Sequence, residues 1–112
     1  MDYLPLCFKV KKRSCLIIGG GTIAYRKAVL LNKAGATINV VAPKISSKLA
    51  ELAEQSGGVL TRREYQSDDL HGHIFIIGAT DIEPVNERVA HDANLLGLLV
   101  NIVDSPDLCN VI

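Results

Sequence analysis

Cys15-Leu16-Ile17-Ile18-Gly19-Gly20-Gly21-Thr22-Ile23-Ala24 is the stretch that decides how this chain folds. The run from Cys15 to Gly19 is almost continuously apolar, as in a parallel strand buried on both faces. A turn of glycines follows. From Thr22 to Ala34, Ala24, Ala28 and Leu31 recur at i, i+4 and i+7, which predicts a helix with one face on a core. Gly35 is placed to end it. Gly19 to Ala24 therefore reads G-x-G-x-x-A between a strand and a helix, the context in which this pattern binds a dinucleotide. Gly19 permits the tight turn, Gly21 lets a pyrophosphate approach the backbone, and Ala24 allows helix to pack closely on strand. Free N–H groups of the first helical turn, with the helix dipole, would hold the anion. A turn needed only for a tight connection would also use glycine, but position, spacing and flanking elements all agree with the dinucleotide reading.

Outward from this unit, apolar runs of strand length alternate with helical patterns. Residues 37–42 (TINVVA) predict a second strand, and Ser46 or Ser47 can cap a helix through Ala53 that Gly57-Gly58 stops. Residues 59–65 (VLTRREY) are mixed enough for a third strand at an edge. Residues 73–79 (HIFIIGA) predict a fourth. Asp81 can cap a helix from Glu83 to Leu95 with Pro84 in its first turn. Residues 98–104 (LLVNIVD) make a fifth strand. The expected fold is α/β: a Rossmann-type parallel sheet of about five strands, ordered 3-2-1-4-5, with helices on both faces. SDDLHG, between the third and fourth strands, is short for the crossover helix that parallel strands require.

The second half of the dinucleotide pattern is missing. An acid about 20 residues on should bind the adenosine ribose, yet the second strand ends Val41-Ala42-Pro43-Lys44. Either backbone groups around Pro43 and Lys44 hold the ribose, or Lys44 admits a 2′-phosphate. NAD and NADP both stay open on these residues. The crevice belongs at the carboxyl ends of the strands where their order reverses, which brings together Gly19 to Ile23, Gly78 to Asp81, and Asn101 to Pro106. Thr80 is a cofactor-contact candidate on that edge. Asp104 is a carboxylate at the tip of an apolar strand beside the expected nicotinamide end. An Asp-Ser-Pro turn alone would also explain it.

Composition narrows the class. At 112 residues and 48% hydrophobic, the whole chain, 1–112, fits one domain with one core. Twelve basic and twelve acidic residues cancel, leaving no field to gather nucleic acid or an anionic membrane. Lys9, Lys11, Lys12 and Arg13 read as a solvated approach to the first strand. No stretch nears the roughly 20 apolar residues of a membrane span, and the N-terminus, acid first and bases after, is the reverse of a secretory signal. Three cysteines, Cys7, Cys15 and Cys109, are an odd set without metal-knuckle spacing. Cys15 reads as a small core residue. These features predict a reduced, cytoplasmic protein. His71, His73 and His91 lack the spacing of a metal site, so none is expected. Arg26 and Lys27 either face a carboxylated substrate or are solvated helix residues.

Several marks coincide beyond the glycine turn: Leu4-Pro5 before the first strand, the Gly19 to Lys27 run GGG-x-x-A-x-RK, and Ala79-Thr80-Asp81 with Val85-Asn86. Asn101-Ile102-Val103-Asp104-Ser105-Pro106 completes them. Together they resemble the precorrin-2 dehydrogenase and sirohydrochlorin ferrochelatase family, which includes the N-terminal part of sirohaem synthases. The resemblance implies NAD as cofactor, with contacts at Thr22-Ile23 and Pro43-Lys44. It implies Asp104 as the essential carboxylate and precorrin-2, a tetrapyrrole, as the substrate oxidised to sirohydrochlorin. Some members also insert Fe²⁺ into that product. In the family the chain continues into a dimerisation region and a helical domain, so a homodimeric, longer parent is expected and this chain reads as truncated at Ile112. The rival readings are a non-catalytic NAD-sensing module and a piece of a shikimate-type dehydrogenase.

Overall fold

The computed structural model describes residues 2–112. Its elements run β1 (Ser14–Ile18), α1 (Thr22–Lys33), β2 (Thr37–Val41), α2 (Ser47–Gln55), β3 (Leu60–Thr61), β4 (Phe75–Gly78), α3 (Glu83–Leu95) and β5 (Leu99–Ile102). The five strands form one sheet ordered β3-β2-β1-β4-β5, every pairing parallel. This is the expected Rossmann-type arrangement.

Alternation along β1 explains why the first strand reads as unbroken apolar sequence. Cys15 and Ile17 point to one face, where Ile38, Val40 and Ile77 join Ala24, Ala28 and Leu31 of α1 and Leu49 and Ala53 of α2. Leu16 and Ile18 point to the other, against Ile76, Val100 and Ile102 of the sheet and Val89, Ala90 and Ala93 of α3. Each fully buried aliphatic side chain contributes roughly 1.5–3 kcal/mol. Both faces of the central strand therefore drive collapse. The register aligns Ile18 with Val41 and with Gly78, and Gly78 with Ile102. Four strands thus end at one level, and their following loops form a single edge.

Two expectations are corrected. The third strand covers only Leu60–Thr61, not residues 59–65. Past Thr61 the side chains find other partners: Arg63 grips Asp69 through two hydrogen bonds of 2.9 and 2.6 Å, and buried Tyr65 donates its hydroxyl to Asp92 at 2.7 Å. That segment is tied to α3 and to a 3₁₀ turn at Ser67–Leu70, whose Leu70 is fully buried. The short turn is what crosses from β3 to β4. Asp81, second, does not cap α3: the cap position is Ile82, without a side-chain cap bond. The Ile82 N–H donates instead to Thr80 Oγ1 at 3.2 Å. Ser46 does cap α2, accepting from the Leu49 N–H at 3.3 Å.

Polar side chains finish the far edges. Asn39, on β2, accepts from the Val59 N–H at 2.9 Å and donates to Ser14 Oγ at 2.8 Å. Ser14 Oγ in turn lies 2.8 Å from His73 Nδ1, at the amino ends of β1 and β4. On the outer edge of β5, Asn110 accepts from the Val100 N–H at 2.7 Å and its own N–H donates back to Val100 at 3.1 Å, which blunts an otherwise open strand. Cys15 is buried, and burial pushes its thiol up to about 11. His71 and His91 are exposed.

Candidate functional site

A cleft of about 850 Å³ opens along the carboxyl edge of the sheet. Gly19, Gly21, Thr22, Ile23, Pro43, Lys44, Thr80 and Asp104 all line it. Residues more than eighty apart in sequence meet here because β1, β2, β4 and β5 end in register.

The three glycines differ in what they meet. Gly19 has a φ of +136°, a conformation L side chains rarely adopt, and a Cβ there would lie 2.4 Å from the Ala79 carbonyl oxygen. A Cβ on Gly20 would lie 1.8 Å from the Lys44 carbonyl oxygen, while the Gly20 carbonyl accepts from the Ser46 N–H at 2.8 Å. These two are glycine because backbone crosses backbone. Gly21 is different. Its φ is an ordinary −99°, and nothing lies within 4 Å of a Cβ built on it. No contact within the chain requires glycine there; the bare position faces the cleft.

Gly21 is also the cap residue of α1 and offers no side chain to the orphaned N–H groups of the first turn. No acid stands in that turn. The helix therefore presents bare donors and the positive end of its dipole to the cleft, which suits a pyrophosphate. Across from it, Pro43 and Lys44 are exposed on the loop after β2. No carboxylate follows that strand; the loop offers only backbone groups and the Lys44 ammonium.

On the third wall, Thr80 is pinned by Asn86 of α3, a buried amide side chain. Asn86 Oδ1 accepts from Thr80 Oγ1 at 2.7 Å and from its N–H at 3.3 Å, and Asn86 Nδ2 donates to the Thr80 carbonyl at 3.0 Å. Sequence reasoning did not single out Gly20 or Asn86 for these roles. The third glycine, which G-x-G-x-x-A does not demand, was the available signal for Gly20. For Asn86 it was a polar residue on the helix stripe that also holds Val89, Ala90 and Ala93.

Asp104 follows β5 in a turn closed by the Ser105 N–H donating to the Ile102 carbonyl at 3.1 Å. Its φ is +61°, left-handed for a non-glycine residue, a conformation that Asp tolerates better than most. The side chain is exposed and has no cation within 4 Å among the described residues. A free carboxylate held at the cleft by an unusual backbone conformation is the kind of arrangement found at working sites.

A parallel half-sheet with a bare helix N-terminus at its carboxyl edge defines a dinucleotide-binding domain. The chain belongs to the family described as "Putative NAD(P)-binding", which matches residues 6–112. It is 54% identical over all 112 residues to a siroheme synthase of Saccharophagus degradans and 52% identical to that of Stutzerimonas stutzeri. It spans 24% of the length of each of these relatives. Among solved structures, SirC, a precorrin-2 dehydrogenase, superposes with a TM-score of 0.78 at 30% identity, covering 98% of this chain and 54% of that one. GenD2 of gentamicin A biosynthesis, solved with NAD, shares the fold at a TM-score of 0.64 and 20% identity, over 89% of this chain and 29% of its own. Among the described residues no helix is long and apolar enough to cross a membrane.

Proposed function

We propose that this domain binds NAD across the carboxyl edge of its sheet and, within a longer protein, carries out the oxidation of precorrin-2 to sirohydrochlorin. One observation carries the reading: a glycine bare for no reason within the chain, Gly21, shares one cleft with the unpaired carboxylate of Asp104. The likeness to siroheme synthases over the whole chain and to SirC supports the choice of substrate.

On this reading the N–H groups at Thr22 and Ile23 hold the pyrophosphate, and Gly21 gives it room. The Pro43–Lys44 loop supports the adenosine ribose, and Thr80 borders the nicotinamide end. NAD, when bound, supplies the acceptor for a hydride leaving the macrocycle. Asp104 takes up the proton that leaves with it, a role suited to an exposed carboxylate with no competing cation. Where the longer protein also inserts Fe²⁺ as a substrate, the same carboxylate is the acceptor for displaced pyrrole protons. The remaining wall of the tetrapyrrole site and the homodimer contacts belong to the part of the protein beyond this domain.

The test is turnover. The full-length protein is supplied with precorrin-2 and either NAD or NADP, and sirohydrochlorin is followed by its absorbance. NAD-dependent formation is expected. NAD binding without oxidation of precorrin-2 would reduce the domain to a sensing module.

A further inference from the structure

Beside the main cleft lies a second, smaller hollow of about 330 Å³, walled by Ile23, Arg26, Lys27, Leu30, Val103 and Asp104. Three of these, Ile23, Val103 and Asp104, also line the main cleft, so the two spaces meet at the carboxylate. Helix α1 has two apolar stripes. Ala24, Ala28 and Leu31 are buried in the core. Ile23 and Leu30, seven residues apart and so on one face, stay 40% and 60% exposed. Arg26 and Lys27 fall between them at i+3 and i+4 of Ile23, about 6–8 Å along the axis from the helix start at Thr22. Neither cation is within 4 Å of a carboxylate among the described residues, and Lys27 is half-buried against the hollow. An apolar floor with two cations on it, and the Asp104 carboxylate only at the side shared with the main cleft, is the complement of a flat apolar body that bears carboxylates.

We infer that Arg26 and Lys27 form the carboxylate-binding subsite of the substrate, and that Ile23, Leu30 and Val103 seat the edge of its ring. The inference rests on the tetrapyrrole reading above and adds to it the residues that fix the orientation of the macrocycle. A ring whose acidic side chains meet Arg26 and Lys27 lies across Ile23 and Val103, with its reacting edge turned towards Asp104 and the cleft. The guanidinium at Arg26 can take a carboxylate through two parallel hydrogen bonds, which fixes direction as well as charge. Arg26 and Lys27 are thus positioning residues: they choose which edge of the ring arrives at the site.

The experiment uses the full-length protein. Arg26→Gln, Lys27→Gln, their double variant and Arg26→Lys are assayed with precorrin-2 and NAD, with NAD affinity titrated separately and mass in solution checked by sedimentation. The double variant is expected to raise KM for precorrin-2 by at least tenfold, about 1.4 kcal/mol, with a smaller change in kcat. Its NAD affinity and assembly state should match the wild type, and Arg26→Lys should lose less than Arg26→Gln. A KM unchanged in the double variant while the wild type is active overturns the subsite and leaves the assigned reaction standing. A change in assembly state in place of KM shows that another part of the protein covers this face, and also overturns it. A wild-type protein that neither binds nor oxidises precorrin-2 overturns the reaction and the subsite with it.

Discussion

Asn86 holds Thr80 from both sides of the peptide: its Oδ1 accepts from the hydroxyl at 2.7 Å and the N–H at 3.3 Å, and its Nδ2 returns a bond of 3.0 Å to the carbonyl. One buried side chain thereby sets the path of the loop after β4. Asn86→Ala would remove these three hydrogen bonds, each worth about 0.5–1.5 kcal/mol. The variant should unfold at clearly lower urea and, because Thr80 borders the cleft, bind NAD more weakly. Asn86→Asp keeps the shape but sets a buried carboxylate oxygen against the Thr80 carbonyl, so it should lose stability as well. Equal stability of Asn86→Ala and wild type would show that the loop holds itself.

Gly20 and Gly21 make a matched pair with opposite expected outcomes. Gly20→Ala puts a Cβ 1.8 Å from the Lys44 carbonyl oxygen, so the 44–45 loop must move, at a cost typical of overpacking, about 1–3 kcal/mol or more. Gly21→Asp meets nothing in the chain, and Asp is a favoured helix cap, so it should fold as well as wild type or slightly better. Its carboxylate would stand where the pyrophosphate is proposed to lie, so calorimetry should show NAD affinity largely lost. Retained affinity in a folded Gly21→Asp protein would remove the glycine turn from the site.

The family resemblance implies NAD, while the loop after β2 raises little barrier to NADP. No acid there repels a 2′-phosphate, and Lys44 stands exposed at the rim. NAD is expected to bind more tightly than NADP, by a narrower margin than a ribose-binding carboxylate would enforce. Lys44→Glu should widen that margin by weakening NADP alone. Parallel titrations in which NADP binds more tightly than NAD would make Lys44 a phosphate ligand.

The central part of this fold was legible because local and long-range demands agree. Cys15 to Ile18 are apolar on both faces, the glycines after them can only turn, and the Ala24-Ala28-Leu31 stripe fits the face left open. Once the strand order follows, Thr80 and Asp104 must reach the same edge as Gly21. What was not legible depends on partners distant in sequence. Residues 62–65 have strand-like composition, but Tyr65 and Arg63 are claimed by Asp92 and Asp69. Asp81 stands one residue before the cap position at Ile82, and Pro84 in the first turn has no N–H for a cap to take. Gly20 answers to a loop more than twenty residues away.

His73 predicts a pH dependence of stability. Burial disfavours its charged form and lowers it from the ordinary 6.5, with Asp69 opposing in part; Ser14 Oγ lies 2.8 Å from its ring. The unfolded chain therefore binds a proton that the folded one resists, so stability is complete above about pH 6.5 and is lost as pH falls below it. Asp69, held down by its bond to Arg63, and Asp92, where burial is overcome by the Ser67 and Tyr65 bonds together with the charges of Arg88 and His91, lose their contribution only below about 3.8. Urea midpoints at about pH 7.5 and about pH 5.5 should differ for the wild type and much less for His73→Gln. An equal drop in both proteins would put the effect elsewhere.

Asp104 is the residue on which the proposed chemistry turns, and its backbone dictates which variant can test it. With φ at +61°, Asp104→Ala would combine loss of the carboxylate with about 1–2 kcal/mol of left-handed strain, confusing chemistry with folding. Asn tolerates this conformation as Asp does, so Asp104→Asn removes charge and basicity while keeping shape and turn. In the full-length protein it should fold and bind NAD normally, while kcat for precorrin-2 falls by roughly 100- to 10,000-fold, the range of a lost general base. If the group only orients substrate, KM rises and kcat is nearly kept, so the two constants separate the roles. A folded Asp104→Asn enzyme with near wild-type kcat and KM would make Asp104 a turn residue, retained because few side chains accept that backbone.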